Sequence, residues 1–390
     1  MTKYNFDQYI DRKHTASMKW GLTKSLFGSD DVLPMWVADM DFEAPPEVIE
    51  AIRQRADHGI FGYSYVPSSA GEAFKEWLEK RHGWVIEPEW ILYTPGVVPA
   101  IGMAIQALTE PGDKVLVQPP VYTPFFNMIR NNNRVIVHSP LEIKDNRFHI
   151  NMDDFEAKLR EGVKLFLLCN PHNPGGRVWT EEELRQMAEL CLKYDVIIVS
   201  DEIHSDLVFK PHKHVPVASL SGDIAEKTVT FMAPSKTFNL AGLQASTVII
   251  TNERMRRAFR TVQTRLGINS LNPFAAIGLE TAYRHGEEWL EELLDYLYEN
   301  IMTAKDFIDR EIPGISVMIP DATYLIWLDC RKLGLSDREI WDALTKKGKL
   351  GLEPGPKYGP GGEGFLRMNV GCSRKILMEG LNRLKKAFSS

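Results

Sequence analysis

Short runs that are apolar at nearly every position recur through the middle of the chain, and helical stretches lie between several of them. The runs are Lys114–Gln118, Arg134–His138, Val163–Leu168 and Asp195–Val199. A strand with one wet face alternates apolar and polar residues, so an almost unbroken apolar run marks a strand buried on both faces. The helical pieces carry their own signals. Thr180 followed by Glu183 makes a capping box, and Leu184, Met187, Leu190 and Cys191 then recur at helical spacing up to the run at Asp195. Strand, helix, strand in this order predicts an α/β fold built on a mostly parallel sheet. No fixed-period repeat and no low-complexity tract competes with that reading.

The alternation predicts a large domain over residues 46–285. From about Asn272 long helical patterns take over, and after Pro313 short strands (Ile315–Ile319, Tyr324–Leu328) mix with helices, including Ser336–Lys347. That texture predicts a smaller α+β domain over 286–390. Residues 1–45 do not fit the alternation and are expected to join the C-terminal part or a subunit interface. A chain of 390 residues is long enough for two such cores.

Charge narrows the partners. With 46 Lys and Arg against 52 Asp and Glu, the net charge of -6 gives no overall pull toward phosphate backbones or anionic lipid, so neither nucleic acid nor membrane is expected. Cys169, Cys191, Cys330 and Cys372 contain no C-x-x-C pair, which argues against a disulfide framework or a zinc site. The N-terminal MTKYNFDQYIDRKH has charges throughout and no apolar h-region. Together these make a reducing cytoplasm the expected location.

In open α/β sheets ligands bind beyond the carboxyl ends of the strands, so the residues just after the apolar runs come first. Four endings carry unusual residue sets. After Tyr93 comes Thr94-Pro-Gly-Val-Val-Pro-Ala100, where Gly96 lets backbone approach a ligand and the amides of Val97 and Val98 open a helix toward Leu108, a place for a phosphate. An ordinary strand-to-helix turn with Pro99 in its first turn reads the same way. After Leu168 comes Cys169-Asn-Pro-His-Asn-Pro-Gly-Gly-Arg177, a run of turn formers in which the Asn173 amide can meet an oxygen of a ring ligand. After Val199 comes Ser-Asp201-Glu-Ile-His204, and a carboxylate directly after a buried strand needs a cation or several donors. Thr228-Val-Thr-Phe-Met leads to Ala-Pro-Ser235-Lys236-Thr-Phe-Asn-Leu-Ala-Gly242, where a partly desolvated Lys236 becomes a usable amine nucleophile.

Other readings of these pieces fail. A nucleotide hydrolase needs a phosphate loop, and Gly222–Thr228 has Glu226 where the second glycine belongs. A Ser/Lys hydrolase needs its pair one helical turn apart, whereas Ser235 and Lys236 are adjacent. His212 and His214 with His204 suggest a metal cluster, but His-Lys-His in a Pro-flanked loop reads as a solvated turn. Gly359–Gly364 lacks the lysine and helix of a phosphate loop and reads as a mobile connection near Arg367. Pyridoxal 5'-phosphate, by contrast, uses all four endings at once: an amine, a carboxylate at its ring nitrogen, a donor to its ring oxygen and a phosphate cup.

At these residues the sequence strongly resembles the fold-type I, class I and II aminotransferase superfamily over nearly its whole length. Ser-Lys-Thr-Phe-Asn-Leu-Ala-Gly resembles the family's Schiff-base segment, which implies that Lys236 bonds the cofactor and Ser235 holds its phosphate. The same resemblance assigns Asp201 to the ring nitrogen, Asn173 to the ring oxygen and Tyr122, in Pro-Pro-Val-Tyr-Thr-Pro-Phe, to the ring face. It makes Lys236, Asp201 and Tyr122 the implied catalytic set. Arg367, in Phe-Leu-Arg-Met-Asn-Val-Gly, is similar to the arginine that grips the substrate carboxylate. Tyr63, in Phe-Gly-Tyr-Ser-Tyr, resembles a tyrosine that reaches the neighbouring subunit's phosphate, which implies a homodimer. Two departures stand out: His204 replaces a common tyrosine in the cofactor site, and Gln244 replaces an arginine expected at the phosphate. Leu33-Pro-Met-Trp-Val-Ala-Asp-Met-Asp-Phe42 with Asp-Glu-Ile-His-Ser-Asp206 is similar to the MalY/PatB group of cystathionine β-lyases, which implies cleavage of L-cysteine thioethers to a thiol, pyruvate and ammonia. An aminotransferase using the same cofactor is the alternative, and no single residue separates the two. Trp36 and Tyr65 are read as core aromatics or as the lining of the substrate entrance.

Overall fold

The structure, a computed structural model of one chain, describes residues 3–389. The apolar runs are strands of one sheet: β1 Ile91–Thr94, β2 Lys114–Val117, β3 Val135–His138, β4 Val163–Cys169, β5 Ile197–Asp201, β6 Thr228–Met232 and β7 Ser246–Ile250. Their order is β1-β7-β6-β5-β4-β2-β3, and only β7 runs antiparallel to its neighbours. This is the mostly parallel α/β sheet of the expected fold class.

Side chains alternate between two cores, as the pleat requires. Leu165 and Leu167 of β4 face a core with Val199, Phe231 and the helix Val97–Leu108, while Phe166 and Leu168 face one with Leu184, Met187 and Cys191 of the helix Glu181–Lys193. Each fully buried side chain of this kind stabilises the fold by about 1.5–3 kcal/mol. The capping box forms as predicted, with Glu183 N donating to Thr180 Oγ1 at 3.2 Å and Thr180 N to Glu183 Oε2 at 2.8 Å. Asp195 departs from its expected place in a strand. Its φ of 55° puts it in the left-handed region as the helix ends, and β5 begins two residues later.

The C-terminal part has a second sheet made of β8 Ser316–Met318, β9 Leu325–Asp329, β10 Glu353–Pro354 and β11 Phe365–Asn369, in the order β8-β9-β11-β10. One of its long helical patterns is the helix Glu287–Glu311, whose buried stripe runs on through Ile301, Ala304 and Ile308. Ser336 caps the helix Asp337–Asp342, which runs on as a π-helical turn through Ala343–Gly348. The N-terminal segment joins this part: Leu33 and Pro34 pair in parallel with Leu350 and Gly351, Asn369 N donates to Met35 O at 2.9 Å, and Asp41 N donates to Gly371 O at 2.8 Å. A clasp of Arg12 and Lys19 with Asp39 and Asp41 holds the segment's far end, with Lys19 Nζ 2.6 Å from Asp41 Oδ2 and Arg12 bonded to both carboxylates.

Two glycine runs are packed, not loose. A Cβ at Gly176, whose φ is 64°, would collide with Pro320, and one at Gly362 would collide with the Gly355 carbonyl. The Gly359–Gly364 run is therefore a tight backbone-to-backbone turn, in contrast to the mobile connection expected.

Candidate active site

Register fixes where the strand ends meet. Cys169 of β4 pairs with Asp201 of β5, and Asp201 with Phe231 of β6, so the residues that follow all emerge at one sheet edge. A cavity of about 200 Å³ opens there. Its wall includes Gly96, Val97, Val98, Tyr122, Asn173, Asp201, His204, Ser235 and Lys236, all anticipated from sequence. Gln244 lines it as well, where the resemblance led us to expect an arginine.

Each piece is placed by its local chain. The helix Val97–Leu108 starts with no side-chain cap, so the amides of its first turn are left for a ligand at the cavity wall. Gly96 precedes that helix and lines the cavity. Tyr122 precedes the helix Thr123–Asn131 and packs edge-on against Phe125, with burial pushing its hydroxyl up to about 12. Asn173 donates its backbone N–H to Cys169 Sγ at 3.3 Å, and its Oδ1 accepts from Arg367 Nη1 at 3.2 Å. A guanidinium can only donate, so the amide oxygen faces Arg367 and Nδ2 is free to donate elsewhere.

Asp201 is buried, and among the described residues its carboxylate accepts one hydrogen bond, from Ile203 N at 3.2 Å; burial pushes the carboxyl up to about 7 against that bond. Half-buried Lys236 donates to the Ala38 carbonyl at 2.5 Å, and the protein packed around it brings its ammonium down to about 8. His204 is buried and pushed down to about 3 by burial, then by Lys236 and Arg367, so it is neutral. Its Nδ1 and the Nε of Arg367 have no partner among the described residues. Such a set is unstable alone and complete with a ligand that brings a positive ring nitrogen, polar oxygens and a phosphate. Pyridoxal 5'-phosphate fits it: Asp201 to the ring nitrogen, Asn173 to the ring oxygen, Tyr122 to the ring, and Ser235 with the Val97 and Val98 amides to the phosphate.

Arg367 lies beside the cavity wall, buried on β11. Its Nη2 donates to Trp36 O at 2.6 Å and its guanidinium lies 5.4 Å from the Tyr358 ring centre. Tyr63 does not join the site of its own chain. It is fully exposed at 113%, amid exposed Ile60, Phe61 and Tyr65. Trp36 meets the site through its carbonyl, its ring packing against Phe27. His212 pairs with Asp321 at 3.2 Å, while His214, in contrast to the solvated turn expected, is buried against Glu202 at 2.8 Å, so the three histidines diverge. Among the described residues no group of three His, Cys, Asp or Glu is placed to hold a metal ion, and no helix is long and apolar enough to cross a membrane.

Nothing in the sequence signals that Ala38 lines the cavity or that the carbonyls around it are held in place. The Ala38 carbonyl accepts from both Lys236 and Tyr324 Oη, the latter at 2.8 Å, and Asn369 Nδ2 donates to Val37 O and Asp39 O at 2.5 and 2.6 Å. Asn239 clamps the next turn through Met40 and Phe42. Backbone carbonyls carry no residue-type signature, though the polar Asn239 and Asn369 inside apolar stretches hint at such clamps.

Fold and strand-end set together define the fold-type I class, the architecture of pyridoxal-phosphate transferases. The aminotransferase class I and II family profile matches residues 30–384, and the chain belongs to that family. It is 53% identical to cystathionine beta-lyase PatB of Bacillus subtilis over 99% of this chain and 100% of that one. It is 35% identical to the protein MalY of Escherichia coli over 98% of both. Among solved structures, cystalysin from Treponema denticola, which contains a pyridoxal 5'-phosphate cofactor, superposes with a TM-score of 0.94 at 36% identity over 98% of both chains. The PLP-bound C-S lyase from Staphylococcus hominis superposes with a TM-score of 0.92 at 34% identity over 100% of this chain and 99% of that one.

Proposed function

We propose that the protein is a pyridoxal-phosphate-dependent C-S β-lyase that cleaves L-cystathionine or a related L-cysteine thioether to a thiol, pyruvate and ammonia. The observation that carries the chemistry is the convergence of an amine, a buried carboxylate and an amide donor on one cavity beside Arg367; likeness to the lyases named above selects elimination. When bound, the cofactor supplies an electron sink for negative charge developing at the substrate Cα. Arg367 grips the substrate carboxylate, with Trp36 O and Asn173 fixing the guanidinium plane. Lys236 takes the Cα proton at Nζ, and burial that lowers its pKa to about 8 brings the neutral amine closer to reach near neutral pH. Asp201 holds the ring nitrogen's positive charge. The Cβ–S bond then breaks as the Cα–Cβ double bond forms, the electron pair leaves on sulfur and the thiolate takes a proton from water to become the thiol; the enamine product, once free, reacts with water to give ammonia and pyruvate.

The test is pyruvate release from L-cystathionine by the cofactor-loaded protein with no 2-oxo acid added. Sustained multiple turnover is expected. A spectrum that changes once and stalls until 2-oxoglutarate is supplied would make it an aminotransferase instead. In the same assay Arg367→Ala should raise KM by about 10- to 100-fold, the worth of a charge-assisted pair; unchanged KM would remove Arg367 from the substrate site.

We further propose a homodimer, with the large domain over 46–285, the small one over 1–45 and 286–390, and Tyr63 of the partner subunit completing the phosphate site where Gln244 brings no charge. The exposed Ile60, Phe61, Tyr63 and Tyr65 support this. Sedimentation should give the mass of two chains, and a monomer at micromolar concentration would rule the shared site out. Four free, buried cysteines support a cytoplasmic location.

A further inference from the structure

Asp201 and His204 face the cavity, but the other two acidic residues of that stretch, Glu202 and Asp206, do not line it. Both are buried, where an unpaired carboxylate is costly, so their partners show what each does. Glu202 accepts from Ser200 Oγ at 2.8 Å and Val217 N at 3.1 Å, and meets His214 Nε2 at 2.8 Å, which anchors the end of β5. The partners of Asp206 reach further. Its Oδ1 accepts from Trp77 Nε1 at 3.0 Å and meets His82 Nε2 at 2.9 Å, both on the helix Ser68–His82. Its Oδ2 accepts from Thr237 Oγ1 at 2.8 Å. Thr237 directly follows Lys236, so one carboxylate spans the peptide that carries Asp201 and the turn that carries the amine.

We infer that Asp206, seated by His82 and Trp77, is a positioning residue that sets Lys236 against Asp201 through the Thr237 hydroxyl. The inference rests on the roles proposed for Lys236 and Asp201. The helix Pro234–Thr237 has four residues, too few to hold its own shape, so ties from outside decide where Lys236 stands. A misplacement of about 1 Å at a reacting group costs roughly 10²-fold in rate. The tie is a charged one. Burial alone would raise the Asp206 carboxyl, but the hydrogen bond and charge of His82, then Arg81 and Thr237, outweigh it and hold it at about 2.

Thr237→Val removes the hydroxyl at nearly constant volume, and Thr237→Ser keeps it. Two readouts are needed. In cofactor-free protein, the pH dependence of Lys236 acylation by acetic anhydride is followed by peptide mass spectrometry; in loaded protein, kcat and KM are measured. The valine variant should lose about 10²-fold in kcat with KM within about threefold, and move the acylation midpoint by at least about half a pH unit. The serine variant should restore both, and Asp206→Asn should move both in the direction of valine. If the valine variant melts at a lower temperature but keeps its midpoint and kcat, the hydroxyl is merely structural and the inference is overturned alone. If pyridoxal phosphate does not protect wild-type Lys236 from acylation, the reading of Lys236 fails and the inference falls with it.

Discussion

Lys236→Ala should lose the absorbance of the lysine-linked cofactor and at least about 10³-fold in turnover. The size follows from two roles in one amine. As the covalent anchor Lys236 holds the cofactor in place, and as the base at Cα it supplies a contribution that for positioned proton transfer is about 10²–10⁴-fold by itself. The geometry makes both possible. Nζ meets the Ala38 carbonyl at 2.5 Å, and burial brings its pKa to about 8, so the neutral amine is accessible without strong alkali. Borohydride reduction of loaded wild-type protein should fix the cofactor on the peptide containing Lys236, and the alanine variant should take up none. Turnover by that variant at the normal rate would sink the mechanism.

How much of this was written in the chain can be judged at particular residues. Asp201, Asn173 and Lys236 were legible because each follows an apolar run, and a parallel sheet must bring such endings to one edge. The turn at Asp195 was not, since apolar runs mark strands without marking where the backbone must first leave a helix. Gly359–Gly364 misled for a related reason: glycine permits mobility and close packing alike, and only the neighbouring Gly355 decides between them. The part played by Ala38 was illegible because it acts through its carbonyl. Arg367 was found only through family likeness, for nothing local to Phe365–Asn369 says that Asn173 and the carbonyl of Trp36 will converge on its guanidinium. Tyr63 stands apart because its proposed partner is on another chain.

Asp201→Asn separates stability from catalysis, and its two effects should have opposite signs. In cofactor-free protein the carboxyl sits at about 7 through burial, against an ordinary value of 3.8. Between those values the folded state keeps a proton that the unfolded state releases, so this group's contribution declines as pH rises through the window and is fully lost above about 7. The shift is about three units, which bounds the penalty at roughly 4 kcal/mol. Asparagine has the same shape and no charge to bury. The cofactor-free variant should therefore melt higher than wild type at pH 8, by several degrees, and show little advantage at pH 4. In the loaded enzyme the order reverses. The carboxylate is then the counter-charge of the ring nitrogen, and removing one member of a buried pair costs about 3–5 kcal/mol, which corresponds to a loss of about 10²- to 10⁴-fold in kcat. Melting curves at the two pH values with and without pyridoxal phosphate, together with pyruvate release, test both halves. A variant no more stable than wild type without cofactor, yet still catalytically crippled, would show that Asp201 is already paired before the cofactor arrives.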